Sequence, residues 1–260
     1  MSSISGSDVS LTFLSTTEHR LYPMPQQPWV VRQDWIDLCF CHWEMDPQVL
    51  QKLLPNSLEI DTFEGKAYIG IVPFRMDNVR FRFVPSVPYI SSFPELNIRT
   101  YVRFGEKQGV FFFSLDAHSQ IAVWFGRRFF HVPYHYAHMQ NISVENGWTY
   151  ISKRISSSNS NDAPALFEAT QIPDGDTYYA TKGSLLHFLT ERYCFFSHRP
   201  DGKLICSDVH HEPWPIKNSN IEIAHNSLLQ KFGIQNPKKP DLVHASSGVP
   251  IVGWWPHPIM

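Results

Sequence analysis

The chain has 260 residues, 43% of them hydrophobic and 14% aromatic, with a formal charge of −2. That composition excludes a disordered chain and gives no basic stripe for nucleic acid, while the length allows one large domain or two small ones. Twenty prolines punctuate it, which favours short strands and turns over a helical bundle.

Residues 1–27 are dominated by small polar residues and read as a flexible arm ahead of a single domain over 28–260. The start has no basic region followed by an apolar core, so no secretory leader is expected, and no apolar run nears the ~20 residues that span a bilayer. Cys39, Cys41, Cys194 and Cys206 are too sparse for a disulfide framework and read as reduced thiols, so a cytoplasmic location is expected. No second ligand pair follows "CFCH" at zinc-site spacing.

"WIDLCFCHW" (35–43) alternates as a strand does. In "MDPQVLQKLLP", Asp46 caps a short helix, Pro47 fits its first turn, and Val49, Leu50, Leu53 and Leu54 make one apolar face. Residues 66–81 read as one long or broken strand bent near Pro73. "PELNIRTYVRF" and "GVFFFSLDA" flank a short glycine-bounded loop and form a hairpin. Pairing Phe104 with Gly109 sorts an apolar face (Val102, Ile98, Phe111, Leu115) from a polar-aromatic one that sets Arg99 against Ser114, Asn97 against Asp116, and Tyr101 against Phe112.

"HSQIAVWFGRRFF" is helix-like up to Pro133. Asn146-Gly147 marks a second hairpin. Residues 156–164 form a polar loop. "KGSLLHFLTERYCFFSH" is a short helix leading into a strand, "RPDGK" a turn, and "LICSDVHHEPWPIK" the returning strand. "IAHNSLLQKFG" reads as a helix closed by Gly233. The fold class is α+β, with mostly antiparallel strands and short flanking helices around a barrel-like core.

No nucleophile elbow, phosphate loop or dinucleotide fingerprint is present. His131, His135 and His138 would share a helix face, but Pro133 interrupts it, and no metal or other cofactor is expected. If "HHEPWP" follows a strand, only one of His210 and His211 enters any pocket. Glu95, Asn97 and Arg99 share one strand face that holds no lysine among bulky aromatics, which favours the polar floor of a pocket over a solvated face. Trp254 and Trp255 either divide between core and interface or serve a binding role.

"WIDLCFCHWEMDPQVLQKLLP", "AYIGIVPFRM", "FPELNIRTYV", "GVFFFSLDA", "VPYHYAHM", "LTERYCFFS" and "HHEPWP" occur in order over about residues 28–217. Together they resemble the YqjF-like family, which has the acetoacetate decarboxylase-like fold. The resemblance implies a closed, cone-like antiparallel β-barrel with short helices outside. In the decarboxylase, lysines follow a helix and a proline, and one forms a Schiff base; its amine must be unprotonated to attack, so desolvation or a neighbouring cation lowers its pKa. Here "FGRRFFHVPYHY" puts Tyr134 and His135 at the lysine positions, and neither can form an imine. By the same resemblance Glu95 falls near a pocket carboxylate, and Arg32 lies near, but offset from, a pocket arginine. Nothing ties Lys182 to the pocket.

The expected protein binds a small carboxylated or carbonyl ligand in its barrel. Arg99, Asn97 and Ser114 are the expected ligand-binding residues, with Arg99 as a bidentate fork for carboxylate. Glu95, Tyr134 and His135 are the candidate catalytic groups for a second reading, an enzyme acting on a keto acid by acid/base chemistry without an imine. A third reading is a structural or oligomerising module, which predicts no pocket around Arg99. No nucleic-acid or membrane partner is expected, and a homo-oligomer is allowed.

Overall fold

The structure, a computed structural model, describes residues 11–87, 90–155, 165–234 and 239–259. The expected polar loop at 156–164 lies outside the described residues. In chain order the strands are β1 (Val31–Met45), β2 (Glu59–Ile60), β3 (Ala67–Phe81), β4 (Phe93–Phe104), β5 (Lys107–Ala117), β6 (Tyr134–Val144), β7 (Gly147–Arg154), β8 (Leu166–Tyr178), β9 (Cys194–His198), β10 (Leu204–His211), β11 (Ile216–Asn226), β12 (Leu242–Gly253) and β13 (His257–Pro258). The short helices are α1 (Pro47–Gln51), α2 (Gln120–Phe125), which runs on as a π-turn over Gly126–Phe130, and α3 (Leu185–Thr190). No helix among the described residues is long and apolar enough to cross a membrane.

The thirteen strands form one sheet in the order β13-β10-β9-β5-β6-β7-β8-β11-β12-β1-β3-β4-β2, with further pairings of β4 to β5 and β10 to β12. All pairings are antiparallel except β5 with β6 and with β9. The centre of β1 is buried on both sides. Leu38 and Phe40 join one core with Phe74, Tyr101 and Trp214. Cys39, Cys41 and Trp43 join another with Ile69, Ile98 and Phe167. That double burial is why "LCFC" carries apolar residues in an unbroken run instead of alternating with solvent-facing ones.

β3 is a single strand, with Pro73 paired to Leu96 of β4. The irregularity lies opposite, in β1, where the register shifts between Ile36 and Cys41 and Asp37 takes φ 55°. The bulge leaves the prolyl residue, which has no N–H, without a regular partner to disappoint on that side. Asp46 caps α1 by accepting from the Gln48 amide. The helix is only one turn and a half, so Leu50 and Leu54 are buried while Val49 and Leu53 stay exposed, and the four do not form one buried face. "IAHNSLLQKFG" is strand to Asn226 and then a 3₁₀ turn over Leu228–Phe232; Gly233 closes it at φ 77°.

The β4–β5 register differs from the expected one. Phe104 pairs with Lys107, not Gly109, because Gly105 at φ 56° supports a two-residue turn. A bulge then shifts the pairing between Ile98 and Arg99, so Arg99 lies opposite Phe112 and Ile98 opposite Ser114. In the second hairpin Val144 pairs with Gly147 around Glu145-Asn146. Gly147 is needed there because a Cβ would collide with the Gln171 carbonyl of β8. Residues 11–27, expected as a flexible arm, are seated on the sheet: Phe13 is buried against the His210 ring, and Arg20 donates to the Val209 carbonyl at 2.8 Å.

Candidate functional site

β4 runs Glu95–Leu96–Asn97–Ile98–Arg99 through the middle of the sheet with every side chain buried. On one side lies a cavity of about 340 Å³, lined by Glu95 and Arg99 of β4, Tyr134 of β6, Trp35 of β1, Arg192 and Trp214, among many apolar residues. A cavity at Arg99 is what the structural-module reading did not predict.

The charged end is organised by the C-terminus of α3, whose last carbonyls have no partner within the helix. Arg192 Nε donates to the Phe188 carbonyl at 2.7 Å. Arg99 Nη2 and the Tyr101 hydroxyl both donate to Leu189, at 3.1 and 2.8 Å. Trp214 Nε1 donates to Thr190 at 3.1 Å. The negative end of the helix thus gathers both guanidiniums. They flank the Tyr101 ring, with Arg99 at 5.7 Å and Arg192 at 5.1 Å from its centroid. Arg192 Nη1 also donates to Asp61 at 2.7 Å. His42, 2.6 Å from the Tyr101 hydroxyl, is held well below the usual histidine range by burial and by the nearby Arg99 charge, so it adds no positive charge.

Tyr134 is delivered by the segment before it. The π-turn ends at His131 in the left-handed region, φ 53°, and Arg127 Nε donates to the Tyr134 carbonyl at 2.6 Å. The ring then lies against Gly126, and its hydroxyl donates to Glu95 Oε2 at 2.7 Å. Burial, opposed in part by the Tyr134 hydrogen bond and helped by the neighbouring Asp116 charge, pushes the Glu95 carboxyl up to about 8. Glu95 is therefore mostly protonated at neutral pH. A Cβ at Gly126 would sit 2.5 Å from the Tyr134 ring. Gly126→Ala should therefore push the ring off Glu95 and cost about 1–3 kcal/mol in urea unfolding; an unchanged midpoint would show that the ring has room to yield.

Of the residues expected at the site, Glu95, Arg99 and Tyr134 converge on the cavity. Asn97, Ser114 and His135 are not among the residues that line it. Asn97 is fully buried in the sheet with neither amide atom partnered. Ser114 falls on the far side because of the β4–β5 bulge and accepts from Arg154 Nη2 at 2.7 Å. His135 follows Tyr134 in an extended strand and so leaves by the opposite face, next to Asp116 of β5. Arg32 is buried but also off the cavity, and Lys182 is exposed. His211 lines the cavity and His210 does not; burial holds His211 down at about 4, and both its ring nitrogens meet backbone carbonyls.

Sequence reasoning missed Arg192, Trp35 and Trp214. "LTERYCFFS" and "HHEPWP" hold two of them, but their placement depends on α3 folding back over β4, which no local pattern encodes. A separate group, Cys206, Asp208 and His257, sets its ligand atoms within 4.8 Å of one another. Lys107 Nζ, 2.7 Å from Asp208, already supplies a positive charge there.

Residues 32–250 match a family model, DUF2071, described as an uncharacterized conserved protein. The uncharacterized protein YqjF of Bacillus subtilis (strain 168) is 39% identical over 231 residues, 89% of this chain and 93% of that one. The chain belongs to the DUF2071 family. Solved structures place this DUF2071 member among acetoacetate decarboxylase-like folds. An acetoacetate decarboxylase from Legionella pneumophila superposes with TM-score 0.58 at 15% identity, covering 92% of this chain and 93% of that one. An acetoacetate decarboxylase-like enzyme from Sphingomonas wittichii RW1 also gives 0.58, at 14% identity over 92% and 98%. The enduracididine biosynthesis enzyme MppR complexed with pyruvate gives 0.59, at 13% identity over 92% and 93%.

Proposed function

We propose that this protein binds a small carboxylated or carbonyl ligand inside a closed, cone-like barrel, without an imine-forming lysine. The observation that carries the reading is an imbalance of hydrogen-bonding groups. Among the described side chains that line the cavity, three buried polar atoms have no partner: Arg99 Nε, Arg192 Nη2 and Trp35 Nε1. All three are donors. A buried donor without an acceptor costs about 1–3 kcal/mol, and side chains that line the cavity carry all three, so a small shift of these side chains toward an acceptor-rich guest would offset that cost. Carboxylate oxygens supply that, and two guanidiniums supply the charge. The pairings of β4 with β5 and β10 with β12 support closure of the strands around the guest.

Among the described residues, those lining the cavity include no lysine, and Tyr134 stands where the resemblance puts an amine. Protonated Glu95 favours a second reading, acid/base chemistry on a keto acid. A neutral carboxylic acid in a mostly apolar cavity donates a hydrogen bond to a developing oxyanion. His135, off the cavity, has no part in that reading. Because MppR is described with pyruvate bound, pyruvate and acetoacetate are the first probes.

Ligand at ~100 times its dissociation constant should add about 2.7 kcal/mol of stability. Arg99→Lys, which keeps the charge and loses the fork, should weaken binding about tenfold or more in calorimetry. Borohydride added with acetoacetate should leave the protein mass unchanged. A folded protein indifferent to every carboxylate and carbonyl compound tried would refute the proposal.

A further inference from the structure

The cavity has an inverted polarity. Its deep charged groups, Glu95, Arg99 and Arg192, are at most 6% exposed, while Gln33, Arg80 and Ser119, which also line it, are half-buried. The hydrocarbon is at the opening instead: Val84, Val87, Ile90 and Ile121 line the same cavity and are 46–60% exposed. Water-filled pockets for small acids have no use for a greasy mouth, and four exposed aliphatic side chains around one opening are a cost unless something covers them. The volume, about 340 Å³, lies in the range of pockets that enclose drug-sized ligands. At ~30 Å³ per water-sized group it holds on the order of eleven such groups, about twice what the non-hydrogen atoms of pyruvate fill.

We infer that the ligand is an amphipathic carboxylate, with its headgroup at Arg99 and Arg192 and an apolar body of about eight carbons that runs to the mouth. This rests on the reading of the cavity as a carboxylate site and adds the chemistry of the rest of the molecule. Asp208 also lines the cavity, but its charge is met by Lys107 at 2.7 Å, and Asp61 meets Arg192 at 2.7 Å, so the net positive charge at the headgroup is that of Arg99. The apolar body replaces water along Val110, Phe112 and Phe195 and covers the exposed aliphatic mouth. Head-first entry sets the carboxylate against the two deep guanidiniums and the chain against the aliphatic mouth.

The experiment is a calorimetric series of straight-chain 2-oxo acids from pyruvate to 2-oxodecanoate, with nonan-2-one as the probe lacking a carboxylate. Each added methylene that is buried should tighten binding about fourfold, so 2-oxooctanoate should bind on the order of 100-fold more tightly than 2-oxobutanoate. Nonan-2-one should bind at least about tenfold more weakly than 2-oxononanoate. Ile121→Ser, at a side chain 60% exposed and therefore safe for folding, should weaken the eight-carbon acid and leave pyruvate unaffected. Equal affinities along the series, or an Ile121→Ser effect on pyruvate as large as on the long acid, would overturn the apolar body and leave the carboxylate site standing. Nonan-2-one binding as tightly as the acid, or no acid binding at all, would overturn both.

Discussion

Asp116→Ala should destabilise the protein by about 3–5 kcal/mol, measured as a fall in the urea midpoint. Asp116 is fully buried, and its partner Arg154 is 6% exposed. Arg154 Nε donates to Asp116 Oδ1 at 2.6 Å, Arg154 Nη2 donates to Ser114 at 2.7 Å, and the Ser152 hydroxyl donates to Asp116 Oδ2 at 2.8 Å. The carboxylate thus ties β5 to β7 across β6. Truncating it leaves a guanidinium inside the protein with no countercharge, and that stranded cation, more than the lost bonds, sets the size of the effect. The double variant Asp116→Leu/Arg154→Met removes both charges together and should recover most of the loss, because the desolvation of two ions largely offsets their attraction. If the single and double variants were equally unstable, packing rather than charge would hold these strands.

Strand period two was enough to find the Glu95 and Arg99 face, because the stretch alternates charge with aliphatic residues and holds no lysine. The register beside it was not legible. The two-residue turn at Gly105-Glu106 and the bulge at Arg99/Phe112 together shift Ser114 by one face. A bulge depends on how β5 meets both β6 and β9, which lie far away in sequence. Tyr134 was legible only through the family resemblance. His135 was carried with it because both occupy lysine positions, yet a strand starts at Tyr134 and sends its next residue to the other face. Arg192 was beyond reach for a different reason. Its guanidinium is placed by Asp61, 131 residues away, and by the carbonyl end of a six-residue helix.

Glu95→Gln should abolish a pH dependence of stability that the wild type shows between about 4.5 and about 8. In the folded protein burial holds the Glu95 carboxyl at about 8, against an ordinary value of 4.5. Between those values the folded state binds the proton that the unfolded state has released. The wild type therefore loses stability as pH rises through the window, by at most about 1.4 kcal/mol per pH unit for one group, and the loss levels off above the folded value. Its full size is on the order of 4 kcal/mol, and with Glu95 1% exposed, solvent screening does little to reduce it. His211, held down at about 4, contributes in the opposite sense, losing stability as pH falls below the ordinary histidine value. The contrast with Glu95→Gln cancels that contribution, since glutamine keeps an acceptor for the Tyr134 hydroxyl and titrates nowhere in the range. Urea unfolding at pH 5, 6, 7 and 8 should show the two proteins diverging steadily, with the variant gaining on the wild type. Parallel curves would mean that Glu95 is ionised throughout. The cavity would then hold a carboxylate facing the ligand's own, and neither the hydrogen-bond donor role of Glu95 nor the headgroup position between Arg99 and Arg192 would survive.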